Sequence, residues 1–181
     1  MEQIKRENAC LAVIDFQERL MPVIHENAFL EDRVVRLIAG AKAVGLPILV
    51  TQQYTKGIGE TVAPIGEALG DFAPIEKTSF SCFAEPAFRQ ALEQTGKKDI
   101  ILCGIEGHIC VMQTAAELQA AGYRVFLAED CCASRSPRDY QVAVDRMAHG
   151  GVVVATMEAL LMELIGGASA PAFREISKII K

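Results

Sequence analysis

Three residues of types that can do chemistry stand where short apolar runs end: Asp15 after C-L-A-V-I, Lys77 closing Ala73 to Lys77, and Cys110 just beyond D-I-I-L-C-G. As a set they could perform acyl transfer. The Cys110 thiolate would attack an electrophilic carbonyl, Lys77 would stabilise that thiolate, and Asp15 would take the thiol proton and return it to the leaving group. A thiol where a strand turns into a helix is expected to ionise more easily than a free one, because the helix start offers unpaired N–H groups. Each residue also has an ordinary reading: Cys110 as a small buried hydrophobe, Asp15 as a turn cap, Lys77 as a solvated charge.

The elements that must position them follow from periodicity. Cys10 to Phe16, Leu46 to Thr51, Ala73 to Lys77, Asp99 to Cys103, Tyr123 to Ala128 and Val152 to Thr156 are short apolar runs of the kind found in buried parallel strands. Between them lie helical spacings: Glu31 to Val44 before Gly45, Pro86 to Gln94, a helix from about His108 to Ala121 before Gly122, Arg138 to His149 and Met157 to Ile165. Ser136-Pro137 has the form of an N-cap followed by proline at the first helical position. Gln52 to Thr61 reads as a polar loop, Glu129 and Asp130 as carboxylates ending a strand, and Phe173 to Lys181 as a docking helix. Strict alternation of strand and helix predicts a three-layer α/β/α Rossmann-like sandwich with a mostly parallel sheet of about six strands. In such sheets ligands bind beyond the carboxyl ends of the strands, where all three residues fall.

The 181 residues suit a single domain spanning 1–181, and 51% hydrophobic content excludes intrinsic disorder. A net charge of −5 with scattered Lys and Arg argues against nucleic acid as a partner. No apolar run is long enough for a membrane span, and Cys10 to Ile14 is too short for a signal peptide, so the expected location is the cytoplasm. The six cysteines have neither zinc-site spacing nor the density of a disulfide scaffold, which fits a reducing compartment. Cys10 and Cys103 read as core, Cys82 as packing, and the adjacent Cys131 and Cys132 as ordinary thiols. Lys56-Gly57-Ile58-Gly59 lacks the full pattern of a phosphate loop, and no cofactor is called for.

Taken together, L-A-V-I-D-F-Q at Leu11 to Gln17, E-K-T-S-F-S at Glu76 to Ser81, G-I-E-G-H-I-C-V at Gly104 to Val111, and the late Glu129-Asp130 and Ser134-Arg135 stretch resemble the isochorismatase-like cysteine hydrolases. That superfamily includes nicotinamidases and N-carbamoylsarcosine amidohydrolases. The resemblance implies the same triad of Asp15, Lys77 and Cys110, homo-oligomers, and a cis peptide at Ile105–Glu106. It also implies that the Glu106 and Cys110 N–H groups face a developing oxyanion. Nicotinamidases carry a metal-binding Asp-x-His after their second strand, where this chain has Thr51-Gln52-Gln53-Tyr54, so no metal is expected here. True isochorismatases use no nucleophilic cysteine, which Cys110 argues against. The reading is therefore a cysteine-dependent hydrolase of a small amide or related C–N bond. The alternative is a non-catalytic binding or redox-responsive protein on the same fold, using Cys110 or the Cys131–Cys132 pair. Phe16, Gln17, Gln53, Tyr54, Phe80 and His108 are candidates for the walls of a small-molecule pocket.

Overall fold

Strand β1 (Ala9–Ile14) is the axis of the sheet because all six of its side chains are apolar and buried, leaving it no solvent face. On one side it pairs in parallel with β2 (Ile48–Gln53), Leu11 opposite Ile48 and Ile14 opposite Thr51. On the other it pairs with β4 (Asp99–Gly104), Ala9 opposite Asp99 and Ile14 opposite Gly104. With β3 (Ile75–Lys77), β5 (Arg124–Cys132) and β6 (Val153–Ala155), these strands form a six-stranded, all-parallel sheet in the order β3-β2-β1-β4-β5-β6. The computed structural model describes residues 3–181.

Helices cover both faces, as a parallel sheet requires. Helix α1 (Asn27–Ala43) packs with α3 (Ala63–Leu69), α7 (Met157–Ile165) and α8 (Phe173–Ile179). Helix α5 (Met112–Ala120) packs with α6 (Pro137–His149), and α4 (Pro86–Thr95) lies against β2. The result is a three-layer α/β/α sandwich. Ser136 caps α6 as its sequence predicts, accepting the Asp139 N–H on its side chain. Among the described residues no helix is long and apolar enough to cross a membrane.

Three local expectations change. Gln52 to Thr61 is not all loop. Gln52 and Gln53 extend β2 because Glu76 and Lys77 supply them with a pairing edge, and Thr55–Ile58 forms a helical turn, α2. Glu129 and Asp130 do not end their strand. β5 continues through them to Cys132, which pairs with Gly104. The helix expected from His108 begins as a π-helical turn, Gly107–Val111, before α5 takes over at Met112.

Candidate active site

The meeting of Asp15 and Cys110 depends on how closely β1 and β4 approach at their carboxyl ends. A Cβ on Gly104 would lie 2.5 Å from the Ile14 Cβ and 2.7 Å from its carbonyl oxygen, so only glycine permits that approach. Asp15 follows immediately, in the left-handed region at φ 57°, a conformation non-glycine residues seldom adopt outside functional turns. The next segment of β4's connection contains the Ile105–Glu106 peptide, which is cis. Cys110 then sits in the π-helical turn, 7% exposed.

Lys77 comes from the third strand and is buried with its ammonium group turned inward. Its Nζ stands 2.7 Å from Asp15 Oδ2 and 3.6 Å from Cys110 Sγ, so one ammonium group bridges the carboxylate and the thiol. It also donates to Gln53 Oε1 at 2.5 Å and to the carbonyls of Ser79 and Phe80 at 3.1 Å. The loop carrying those carbonyls is shaped by Glu85, whose carboxylate accepts the N–H groups of Thr78 and Ser79 and the Ser79 hydroxyl. These bonds hold the Glu85 carboxyl below its ordinary pKa.

The electrostatics of the three groups overturn one expectation. Burial, then the neighbouring Asp15 charge, push the Cys110 thiol up to about 12, against the pull of Lys77. The helix-start argument for an acidic thiol is outweighed by desolvation. Asp15 lies above the usual carboxylate range because burial exceeds the help of Lys77 and Thr51. For Lys77, burial acts downward, but Asp15, Cys82 and Cys110 outweigh it and hold the amine above its ordinary value. Burial thus keeps the Cys110 thiol protonated at neutral pH, beside the close Asp15–Lys77 pair. The thiol is within hydrogen-bond reach of the Asp15 carboxylate.

The remaining candidates separate into those at the site and those beneath it. Gln53 touches Lys77 directly and anchors the loop through Thr78 O at 2.9 Å. Tyr54 and Phe80 are about half exposed at the ends of the segments that carry Gln53 and Lys77. Phe16 is instead buried in the core. Gln17 is a staple rather than a pocket wall, since its amide binds Gln53 O, Gly59 O and the Gln53 N–H. His108 does not reach for Cys110; its Nδ1 lies 2.9 Å from Ser134 Oγ. The Gly107 N–H goes to Ala133 O and the Glu106 carboxylate accepts both Arg135 N and Nε at 3.0 Å, so the Ala133–Arg135 segment clamps the turn before Cys110. A cavity of about 370 Å³ beside that segment, lined by Phe29, Glu129, Asp130 and Tyr140 among others, contains none of the triad.

Nothing in the sequence marks Cys82 or Thr114 as part of the site, and the one signal for Thr51 is that it ends its apolar run as Asp15 does. All six cysteines are free and buried. Among the described residues no group of three His, Cys, Asp or Glu side chains is placed to hold a metal ion.

Comparison with known proteins gives a consistent result. An isochorismatase domain model matches residues 9–159. The chain is 38% identical over 180 residues to isochorismatase domain-containing protein 2A of Mus musculus, covering 99% of this chain and 85% of the mouse protein. It is also 38% identical over 167 residues to isochorismatase domain-containing protein 1 of Salmo salar, covering 92% of this chain but spanning only 59% of the salmon protein. Among solved structures, the MAR1 ribonuclease from Caenorhabditis elegans superposes with a TM-score of 0.93 at 36% identity, covering 99% of this chain and 92% of that one. The YcaC gene product of Escherichia coli, described as an octameric hydrolase of unknown specificity, shares the fold with a TM-score of 0.92 at 22% identity. That match covers 99% of this chain and 91% of the other.

Proposed function

Because this chain belongs to the isochorismatase domain family, with its hydrolase fold, we propose that it hydrolyses a small amide or related C–N bond through a thioester on Cys110. The observation that carries the reading is the buried bridge in which Lys77 Nζ stands 2.7 Å from Asp15 and 3.6 Å from Cys110. As the thiol proton passes to Asp15, the sulfur attacks the substrate carbonyl carbon and the carbonyl becomes an oxyanion. The Glu106 and Cys110 N–H groups face that oxyanion. Collapse of the intermediate breaks the C–N bond, and the departing amine takes the proton from Asp15. A water molecule then attacks the thioester, gives a proton to Asp15, and releases the acid as the thiol re-forms. Lys77 keeps its charge throughout and stabilises first the thiolate, then the ionised Asp15.

In this reading Gln53, Tyr54, Phe80 and His108 border a small-molecule pocket, and no cofactor takes part. The chain works as a homo-oligomer in the cytoplasm, in line with the octameric description of the E. coli fold relative and with six unpaired thiols. RNA cleavage, suggested by the name of the C. elegans neighbour, is disfavoured by a net charge of −5. The test is a panel of small amides and ureides, with an RNA oligonucleotide alongside, assayed for amine or ammonia release and for strand cleavage. Turnover of an amide by the wild type and its loss in Cys110→Ala is expected. Turnover that survives in Cys110→Ala, or cleavage of RNA alone, contradicts the proposal. A peroxide-dependent change of oligomer state with no turnover favours the redox-responsive reading instead.

A further inference from the structure

Thr51 lies at the end of the strand beside Asp15 and is 1% exposed. Its hydroxyl donates to Asp15 Oδ1 at 2.7 Å, and its carbonyl accepts the Asp15 N–H at 3.3 Å. A hydroxyl carries one proton. With that proton committed to Asp15, the Cys82 thiol, 3.7 Å away, is the donor to Thr51. Cys82 is wholly buried, and its N–H is held by Thr114 Oγ1 at 2.9 Å. Thr114 in turn donates to the Cys110 carbonyl at 2.7 Å. A chain of hydrogen bonds therefore joins the Cys110 backbone to the Asp15 carboxyl through Thr114, Cys82 and Thr51, independently of Lys77.

We infer that Thr51 is a positioning residue: by filling Oδ1 it fixes the rotation of the Asp15 carboxyl and reserves Oδ2, the oxygen facing Lys77, for the Cys110 proton. The inference rests on Asp15 being the proton acceptor for Cys110. The titratable groups facing Asp15 are Lys77, Cys110 and Cys82. Of these Lys77 is the charged one at neutral pH, so Thr51 supplies the neutral half of the carboxylate's stabilisation. Losing its hydroxyl leaves burial less opposed and moves Asp15 further upward.

The experiment is the pH dependence of iodoacetamide alkylation at Cys110, followed by peptide mass spectrometry, in wild type, Thr51→Val, Thr51→Ser and Asp15→Asn. In the wild type, alkylation falls on the acid side as Asp15 becomes protonated, and Asp15→Asn abolishes that limb. Thr51→Val moves the limb to higher pH by about one unit, as expected for losing a hydrogen bond to a charged group, and Thr51→Ser restores it. Thr51→Ala stands in should the valine variant not fold. An acid limb abolished by Asp15→Asn but unmoved by loss of the Thr51 hydroxyl overturns the inference while leaving Asp15 as the acceptor. A profile unchanged in Asp15→Asn overturns the acceptor itself.

Discussion

Two buried aspartates sit at opposite ends of the same sheet, each paired with a cation, and they differ in what is left over. At the amino end, Asp99 receives Arg124 Nε on Oδ1 at 2.7 Å and Arg124 Nη2 on Oδ2 at 2.5 Å, with Asn8 adding a bond at 2.8 Å. Both oxygens are occupied by donors that hold their protons tightly, and the guanidinium reaches solvent with 35% of its side chain exposed. At the carboxyl end, Asp15 has Thr51 on one oxygen and Lys77 on the other, and the same Lys77 ammonium stands 3.6 Å from the Cys110 thiol. Lys77, unlike Arg124, has no exposed side-chain surface. A buried ion pair is not in itself a sign of catalysis. A thiol beside the pair is what separates the two sites.

The contrast can be broken by mutation. Cys110→Ala should lower kcat/KM for an identified substrate by at least about 10⁴-fold, as loss of a nucleophile does elsewhere, with a thermal melt close to wild type. Asp99→Ala should do the reverse. It should cost stability, about 3 kcal/mol in a denaturant titration and at the low end for a broken buried pair because Arg124 can turn to water, while each folded molecule keeps its activity. Equal loss of turnover in both variants would erase the distinction.

The pH profile of kcat/KM sharpens it further. Asp15 must be ionised to accept the thiol proton, and its pKa lies above the ordinary carboxylate value. Activity should therefore fall as pH drops through that raised pKa, about tenfold per unit. Lys77 is held above an ordinary lysine, so the alkaline loss should come only beyond the usual lysine range. Smaller still, Gln53→Ala should slow Cys110 alkylation by about tenfold through a less firmly held ammonium group, measured with iodoacetamide at fixed pH.

Much of the sheet was readable in the chain because buried parallel strands announce themselves as short apolar runs, and the three ends carrying Asp15, Lys77 and Cys110 followed from that. Met157 to Ile165 matched its helix end to end. What failed was local competition. Gln52 and Gln53 are polar and look like loop, yet join β2 because a partner edge lies alongside, while Glu129 and Asp130 lie in β5 across a register shift that ends where Cys132 pairs with Gly104. The acidity of Cys110 is not legible in sequence, which shows the helix start but not the depth of burial. Gln17 reads as a pocket residue in sequence, but its amide is spent on backbone groups. The Thr51–Cys82–Thr114 connection joins three separate elements and has no signature in spacing at all.

If one thiol among six is made reactive by the charged pair beside it, alkylation will reveal it without knowledge of the substrate. Wild type and Lys77→Met would be treated with iodoacetamide at neutral pH, and all six cysteines followed by peptide mass spectrometry. Cys110 should react first in the wild type and slow markedly in Lys77→Met, with Cys10, Cys82, Cys103, Cys131 and Cys132 protected by burial in both. If Cys131 or Cys132 reacts ahead of Cys110, or if Cys110 is indifferent to the loss of Lys77, the account of this site is wrong.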